Sequence, residues 1–96
     1  KDAMDTHAIQ SQLSTVPTWQ HIDDRIEKTF SFKDFREAFA FMQAVATLAE
    51  DQQHHPDWRN CYNRVSIALT THDAGGLSEK DFTLAKSIDG LLQETT

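Results

Sequence analysis

Three histidines in the middle of the chain are the residues best suited to chemistry. His54 and His55 are adjacent, and His72 lies further along the chain. Imidazole changes charge near neutral pH, so a pocket that holds neutral and protonated imidazoles can both donate and accept protons. Glu50 precedes His54 by four residues, a spacing that places both on one face of a helix. With Trp58 nearby, the pattern predicts one small pocket for proton transfer.

Each of these residues also has an explanation that needs no catalysis. A His-His pair is typical of a solvated helix end, where imidazolium interacts favourably with the helix dipole. By the same reasoning Glu50 is an exposed helix carboxylate, and His72 ends a strand on its polar side. Asp81 follows Ser78 by three residues, the spacing of a capping box at a helix start.

Two other kinds of active site fit the sequence less well. Three imidazoles and a carboxylate suffice in number for zinc, but no His-Glu-x-x-His spacing occurs and Cys61 offers no second thiolate. Nucleophilic catalysis is disfavoured because Cys61 falls within an expected strand, with no activating group beside it. The sequence therefore predicts no metal and no covalent intermediate.

Length and composition bound the remaining possibilities. The 96 residues are 39% apolar and carry a net charge of −6, which fits one small domain over residues 1–96 and excludes a doubly wound dinucleotide fold. The sequence contains no Lys/Arg cluster, so direct nucleic-acid binding is not expected. It also contains no run of 18 apolar residues, so no membrane span is expected. A single cysteine and no visible signal peptide favour a reducing, cytoplasmic compartment. Residues 1–4 are interpreted as a tag remnant or disordered.

Apolar periodicity and turn residues predict the elements that must position the histidines. Helices are expected over residues 5–13, 33–53 and from 78 onward, and strands over 19–21, 25–32, 58–62 and 64–71. The order α-β-β-α-β-β-α fits an α+β fold with a four-stranded antiparallel sheet and three helices on one face. Trp19, Phe30 and Phe82 are expected in the core, whereas Lys28 interrupts the apolar side of the second strand.

The central helix is apolar over an unusually large part of its circumference. Its apolar side chains form two neighbouring stripes, which are Phe35, Phe39, Met42, Ala46 and Ala49, and beside them Phe41, Val45 and Leu48. A helix with this pattern is buried on more than one side. In so small a domain, we expect the additional face to contact another subunit.

The spacing of the candidate site residues resembles the signature of a known family. The matching positions are Glu50, His54, His55, Pro56, Tyr62, His72 and Asp81. With matching runs over residues 30–35, 62–65 and 70–81, they resemble the pterin-4a-carbinolamine dehydratases across residues 19–89. The resemblance implies the same α+β fold, a tetramer built as a dimer of dimers, and a pterin substrate. The implied reaction is loss of water from 4a-hydroxytetrahydropterin, which gives the quinonoid dihydropterin without a metal or an organic cofactor.

The resemblance also implies a role for each residue of the site. His54, His55 and His72 are the implied catalytic residues, of which His54 and His72 exchange protons and His55 mainly binds and orients the substrate. Trp58 is expected to form an apolar wall for the flat ring, Asp81 to orient a histidine, and Glu50 to support the site. Polar contacts to the pterin are expected from Gln53, Thr70, Thr71 and Asp73.

A different class of function also follows from the family. Some members act as dimerisation cofactors for a homeodomain transcription factor, so a helical protein partner and a nuclear location are implied as an alternative. The apolar central helix would supply the surface. A homologue without activity is disfavoured because no signature histidine is missing.

Overall fold

The computed structural model describes residues 4–93, and it confirms an α+β fold with the predicted order of elements. The helices are α1 (Thr6–Leu13), α2 (Phe35–Gln52) and α3 (Glu79–Gln93), and a short 3₁₀ helix spans His72–Ala74. The strands are β1 (Gln20–Ile22), β2 (Arg25–Ser31), β3 (Asp57–Cys61) and β4 (Arg64–Leu69). Among these residues, none of the helices is long and apolar enough to cross a membrane.

The four strands form one antiparallel sheet in the order β1-β2-β4-β3. The β1–β2 turn passes through Asp23, which has a left-handed backbone with φ 53°. The β3–β4 turn contains Tyr62 and Asn63, and Asn63 is tied to the segment after β2 because its side-chain amide donates to the Phe32 carbonyl at 2.8 Å. Asn63 therefore lies in the tight connection where the sequence places it.

One face of the sheet packs against the helices, and alternation along the central strands determines which residues lie there. Side chains of β2 and β4 are buried at every second or fourth position, whereas their neighbours on the other face are partly or fully exposed. The buried strand residues are Ile26, Phe30, Val65, Ile67 and Leu69. Trp19, Phe30 and Phe82 are all buried, as predicted.

Lys28 lies on the covered face of the sheet, because its register partner is the buried Ile67. Its ammonium donates to the Asp89 carboxylate on α3 at 3.0 Å, and the indole Nε1–H of Trp19 donates to the same carboxylate at 3.1 Å. Lys28, which interrupts the apolar pattern of β2, is thus paired with the Asp89 carboxylate. A charge on this face is tolerated because it is paired.

Helix α2 has Asp34 as its N-cap, because the Asp34 side chain accepts the Glu37 N–H at 3.0 Å, and the Glu37 side chain in turn accepts the Lys33 N–H at 3.1 Å. The helix therefore starts two residues later than predicted. Its buried residues are Ala38, Phe41, Val45 and Ala49. Of these four, Phe41 and Val45 belong to the second predicted stripe and Ala49 to the first.

Most of the first predicted stripe of α2 points away from the core. Phe35 and Phe39 are each 47% exposed, and their rings stack with centroids 5.7 Å apart. Ala46 is also exposed, whereas Ala49 is buried at the end of the helix. Two large aromatic side chains are therefore left on the surface of the single chain.

Several boundaries differ from the prediction. Strand β3 ends at Cys61, so Tyr62 lies in a turn, and β4 ends at Leu69, so Thr71 lies beyond the strand in an isolated bridge with Gly76. Strand β1 is displaced by one residue from the predicted 19–21. Of the first four residues, 1–3 lie outside the described part of the chain. Met4, which was given no structural role, donates its N–H to the Leu77 carbonyl at 3.0 Å and packs against the core.

Candidate active site

The C-terminal end of α2 places the two adjacent histidines. Gln53, the residue after the helix, has a left-handed backbone with φ 53°, and the N–H of His54 donates to the Ala49 carbonyl at 3.0 Å. This closure of a helix end favours glycine or asparagine, yet the chain uses glutamine. The Gln53 side-chain amide donates to the Glu50 carbonyl at 2.7 Å, which supports the turn.

The left-handed turn corrects the expectation that Glu50 and His54 share a helix face. Because the helix stops before Gln53, the four-residue spacing no longer applies to them. Glu50 instead contacts the next residue, and Nε2 of His55 lies 2.6 Å from Oε2 of Glu50. Both side chains of this pair are exposed, so their interaction contributes little to stability and leaves them accessible.

His54 turns inward and meets Asp81 from α3. Its Nε2 lies 2.5 Å from Oδ1 of Asp81; Asp81 is 0% exposed and His54 9% exposed. The interpretation of His54 as part of a solvated helix end is therefore wrong. A buried imidazole whose second nitrogen is held by a buried carboxylate is the arrangement that fixes ring orientation in general acid–base catalysis.

Asp81 also closes the start of α3, as the capping-box prediction requires. Its Oδ2 accepts the N–H of Ser78 at 3.0 Å and the hydroxyl of Thr71 at 2.9 Å. The Ser78 hydroxyl accepts the Lys80 N–H at 3.3 Å and lies 2.6 Å from the Thr71 hydroxyl. Both carboxylate oxygens of Asp81 thus act as acceptors. Asp81 therefore caps α3 and contacts His54 at the same time.

His72 lies in a short loop rather than at a strand end. The backbone of Thr71 pairs with that of Gly76, and residues 72–74 form the 3₁₀ helix inside this closed loop. Gly75 has φ 75°, the left-handed conformation that favours glycine. His72 itself is exposed. The hydrogen bond from Thr71 to Asp81 joins the loop that carries His72 to the carboxylate that holds His54.

The remaining residues predicted to contact the substrate differ in burial and in hydrogen bonding. The hydroxyl of Thr70 donates to the Asp24 carbonyl at 2.7 Å, so it ties the end of β4 to the β1–β2 turn. Trp58 is partly buried against the core, with Ile67 as its register partner. Asp73 is exposed on the 3₁₀ helix.

The described residues do not form a metal centre. Within residues 4–93, no group of three His, Cys, Asp or Glu side chains is arranged to hold a metal ion. Nε2 of His54 is directed to Asp81 and Nε2 of His55 to Glu50, so each neighbouring imidazole already has a carboxylate partner of its own.

The sequence interpretation missed the hydroxyl pair that supports Asp81. Thr71 was assigned to the substrate and Ser78 only to the helix start, whereas the two hydroxyls bond each other and Thr71 also bonds Asp81. The capping-box spacing was the available signal, because it places a carboxylate beside the residues that precede α3.

Comparison with known proteins decides the family. The sequence model described as pterin 4 alpha carbinolamine dehydratase matches residues 2–91, nearly the whole chain. The protein belongs to the pterin-4a-carbinolamine dehydratase family. Two relatives carry names that assign them to the same dehydratases. One, from Synechococcus sp. WH7803, is 62% identical over 81% of this chain and 84% of its own length. The other, from Rhodospirillum rubrum, is 53% identical over 95% of this chain and 97% of its own length.

A solved structure has the same fold as this dehydratase-family protein. It is described as a transcriptional coactivator/pterin dehydratase from Brucella melitensis and superposes with a TM-score of 0.88 at 36% identity. The match covers 93% of this chain and 97% of the other. The α+β fold of this chain is therefore shared with a protein described as a transcriptional coactivator/pterin dehydratase.

Proposed function

We propose that this protein catalyses the dehydration of 4a-hydroxytetrahydropterin to the quinonoid dihydropterin and water. The observation that carries the proposal is the buried contact between His54 and Asp81, in a chain that matches the dehydratase family over residues 2–91. The reaction serves the recycling of tetrahydrobiopterin after an aromatic amino-acid hydroxylase has used it. We place it in the cytoplasm.

Proton transfer is the whole chemical demand of this reaction. The bond from carbon 4a to its hydroxyl breaks, the leaving oxygen takes a proton and departs as water, and a ring N–H gives up a proton. Electrons move within the pterin, so no oxidant or reductant is consumed. Imidazoles suit both transfers because their charge changes near the working pH.

In this proposal His54 and His72 exchange the protons. His54 has its orientation set by Asp81, while His72 is exposed on a loop closed by the Thr71–Gly76 pairing. His55 binds and orients the substrate, with its ring held by Glu50 at 2.6 Å. Further contacts to the pterin are proposed for Gln53, Trp58, Thr70 and Asp73, whereas the hydroxyl of Thr71 is engaged by Asp81.

The decisive experiment compares catalysed with spontaneous dehydration. Purified protein is mixed with synthetic 4a-hydroxytetrahydropterin, and formation of the quinonoid product is followed by its absorbance. We expect a clear acceleration by the natural protein, a strong loss in His54→Ala plus His72→Ala, and no loss in His21→Ala, an exposed histidine of β1. Full activity of the double variant would overturn the assignment.

We also propose that the protein is a homo-oligomer, a tetramer built as a dimer of dimers. The support is the exposed Phe35–Phe39 stack on α2, because stacked aromatic side chains of this size are typical of a surface covered by a partner. Covering them would also bury the apolar face that the chain cannot bury alone.

A second candidate function uses the same face for another protein. The Brucella melitensis structure is described as a transcriptional coactivator as well as a pterin dehydratase. A coactivator role would place the helix of a protein partner on Phe35 and Phe39. A pull-down in which a helical partner competes with self-assembly, and which Phe39→Glu abolishes, would support it.

A further inference from the structure

We propose that Thr71 is a positioning residue: its hydroxyl fixes the Asp81 carboxylate, which keeps a hydrogen on Nε2 of His54 and leaves Nδ1 as the atom that exchanges a proton. The part about exchange rests on the proposed dehydration. The part about the ring hydrogen does not, because it can be measured on the protein without substrate.

The first step is the direction of the hydrogen bonds around Thr71. Its single hydroxyl hydrogen has two neighbours, Oδ2 of Asp81 at 2.9 Å and Oγ of Ser78 at 2.6 Å. A carboxylate only accepts, so the hydrogen of Thr71 points to Asp81. The hydrogen of Ser78 then points to Thr71, and the Ser78 oxygen receives the Lys80 N–H at 3.3 Å. Each hydroxyl thus has one defined orientation.

The second step concerns Asp81 and His54. Oδ2 of Asp81 is occupied by Thr71 and by the Ser78 N–H, which leaves Oδ1 for the imidazole at 2.5 Å. An acceptor at that distance requires a hydrogen on Nε2, whether the ring is neutral or protonated. Within residues 4–93 the Nδ1 atom of His54 has no hydrogen-bond partner. Nδ1 is therefore the ring nitrogen left to a substrate.

The third step links the same hydroxyl to the second histidine. Thr71 immediately precedes His72, and its backbone pairs with Gly76 to close the loop. Anchoring the Thr71 side chain to the start of α3 fixes one end of that loop. One buried carboxylate thus orients His54 directly and restrains the loop of His72 through Thr71.

This role differs measurably from a direct contact between Thr71 and the pterin. Loss of a substrate contact raises KM, with or without a change in kcat, and does not alter the ring of His54 in the free protein. Loss of a positioning contact lowers kcat at similar KM and changes the hydrogen position on the ring before substrate is added.

The test is Thr71→Val, which keeps the shape of the side chain and removes the hydroxyl, compared with Thr71→Ser, which keeps the hydroxyl. Nitrogen-15 NMR of the imidazole rings in the substrate-free protein reports which nitrogen of His54 carries the hydrogen. We expect hydrogen on Nε2 in the natural protein and in Thr71→Ser, and a mixture of the two forms in Thr71→Val. The value of kcat should fall about 10-fold in Thr71→Val and recover in Thr71→Ser. Thr29→Val, an exposed change whose hydroxyl contacts Ser66 instead, is the matched control.

An unchanged ring signal in Thr71→Val, a rise in KM without loss of kcat, or hydrogen on Nδ1 in the natural protein would each overturn the proposal. If Thr71→Val does not fold, Ser78→Ala replaces it, since that variant keeps the backbone N–H to Asp81 and removes the hydroxyl that orients Thr71 and accepts the Lys80 N–H. We expect the same change of ring signal, smaller in size, and its absence would count against the proposal. If the natural protein does not accelerate dehydration, the proposed function fails, and the ring signals still decide the role of Thr71.

Discussion

His54 and Asp81 are 27 residues apart in the chain, and their side chains meet at 2.5 Å in the interior. The first follows the end of α2 and the second lies in the first turn of α3. The same contact therefore joins two helices and orients a candidate catalytic ring. Stability and activity should consequently respond together at these two positions.

Substitution of the two proton-transfer histidines should separate these effects. His54→Ala removes the imidazole partner of a fully buried carboxylate, so we expect a loss of about 1–3 kcal/mol in the free energy of unfolding together with the loss of activity. His72→Ala alters an exposed residue and should leave stability within about 0.5 kcal/mol while activity falls. Urea denaturation and the dehydration assay measure the two quantities. Equal stability losses would contradict the different burial of the two rings.

Asp81→Asn keeps the size of the side chain but changes one acceptor into a donor. The amide nitrogen must then face either His54 or the donors Thr71 and Ser78, so at least one contact is lost. We expect the dehydration rate to fall by about 10–100-fold and stability by about 1–3 kcal/mol. Asp51→Asn, an exposed change on α2, should alter neither quantity. A fully active Asp81→Asn protein would rule out an orienting role.

The left-handed backbone of Gln53 makes a prediction about side-chain shape. A β-branched residue is a genuine outlier at φ 53°, so Gln53→Val should lower the free energy of unfolding by about 1–2 kcal/mol. Gln53→Gly suits this conformation and should be tolerated far better, since it loses only the hydrogen bond from the side-chain amide to the Glu50 carbonyl. Chemical denaturation of the two variants decides the point, and a more stable valine variant would refute it.

The shared carboxylate of Asp89 should matter more than its position near the end of the chain suggests. Asp89→Ala leaves the Lys28 ammonium and the Trp19 indole N–H without their acceptor on the covered face, so we expect a loss of about 1–3 kcal/mol. The fluorescence of Trp19 should change in the same variant. Thr83→Ala, an exposed change on the same helix, is the control for helix effects.

The exposed aromatic stack of α2 predicts the behaviour of the assembly. Light scattering of the natural protein should give the mass of a tetramer, and Phe39→Glu should lower it because a charge would enter the covered face. Tyr62→Glu, at an aromatic residue that is 63% exposed in the β3–β4 turn, is the matched control and should keep the natural mass. A natural protein that stays monomeric over a wide concentration range would remove the oligomer proposal.

The fold could be predicted because its signals are local and agree with one another. Alternation in β2 and β4, the apolar periodicity of α2, and the Ser78–Asp81 spacing each indicate the element that forms. Which stripe of α2 faces the core could not be predicted, because both stripes are apolar. That choice depends on which residues of the sheet and of α3 pack against the helix.

The structure corrects one predicted pair of the candidate site. The residue types and the resemblance predict the three histidines as members of the site, and the spacing pairs Glu50 with His54, yet Glu50 contacts His55 instead. The cause is the left-handed Gln53, and glutamine gives no sequence signal for that conformation. The contacts of Thr71 were also missed, because a hydroxyl beside a histidine fits a ligand contact and a buried carboxylate equally well.

The bond from the Met4 N–H to the Leu77 carbonyl has a practical consequence for anyone who prepares this protein. Leu77 is buried and directly precedes Ser78, whose backbone and hydroxyl support Asp81. The beginning of the described chain is thus bonded to the residue before Ser78, and Ser78 supports the Asp81 carboxylate that contacts His54. Deleting residues up to and including Met4, or fusing a folded protein directly next to it, would disturb the Leu77–Ser78 segment and so the candidate active site. Tags and deletions belong at other positions.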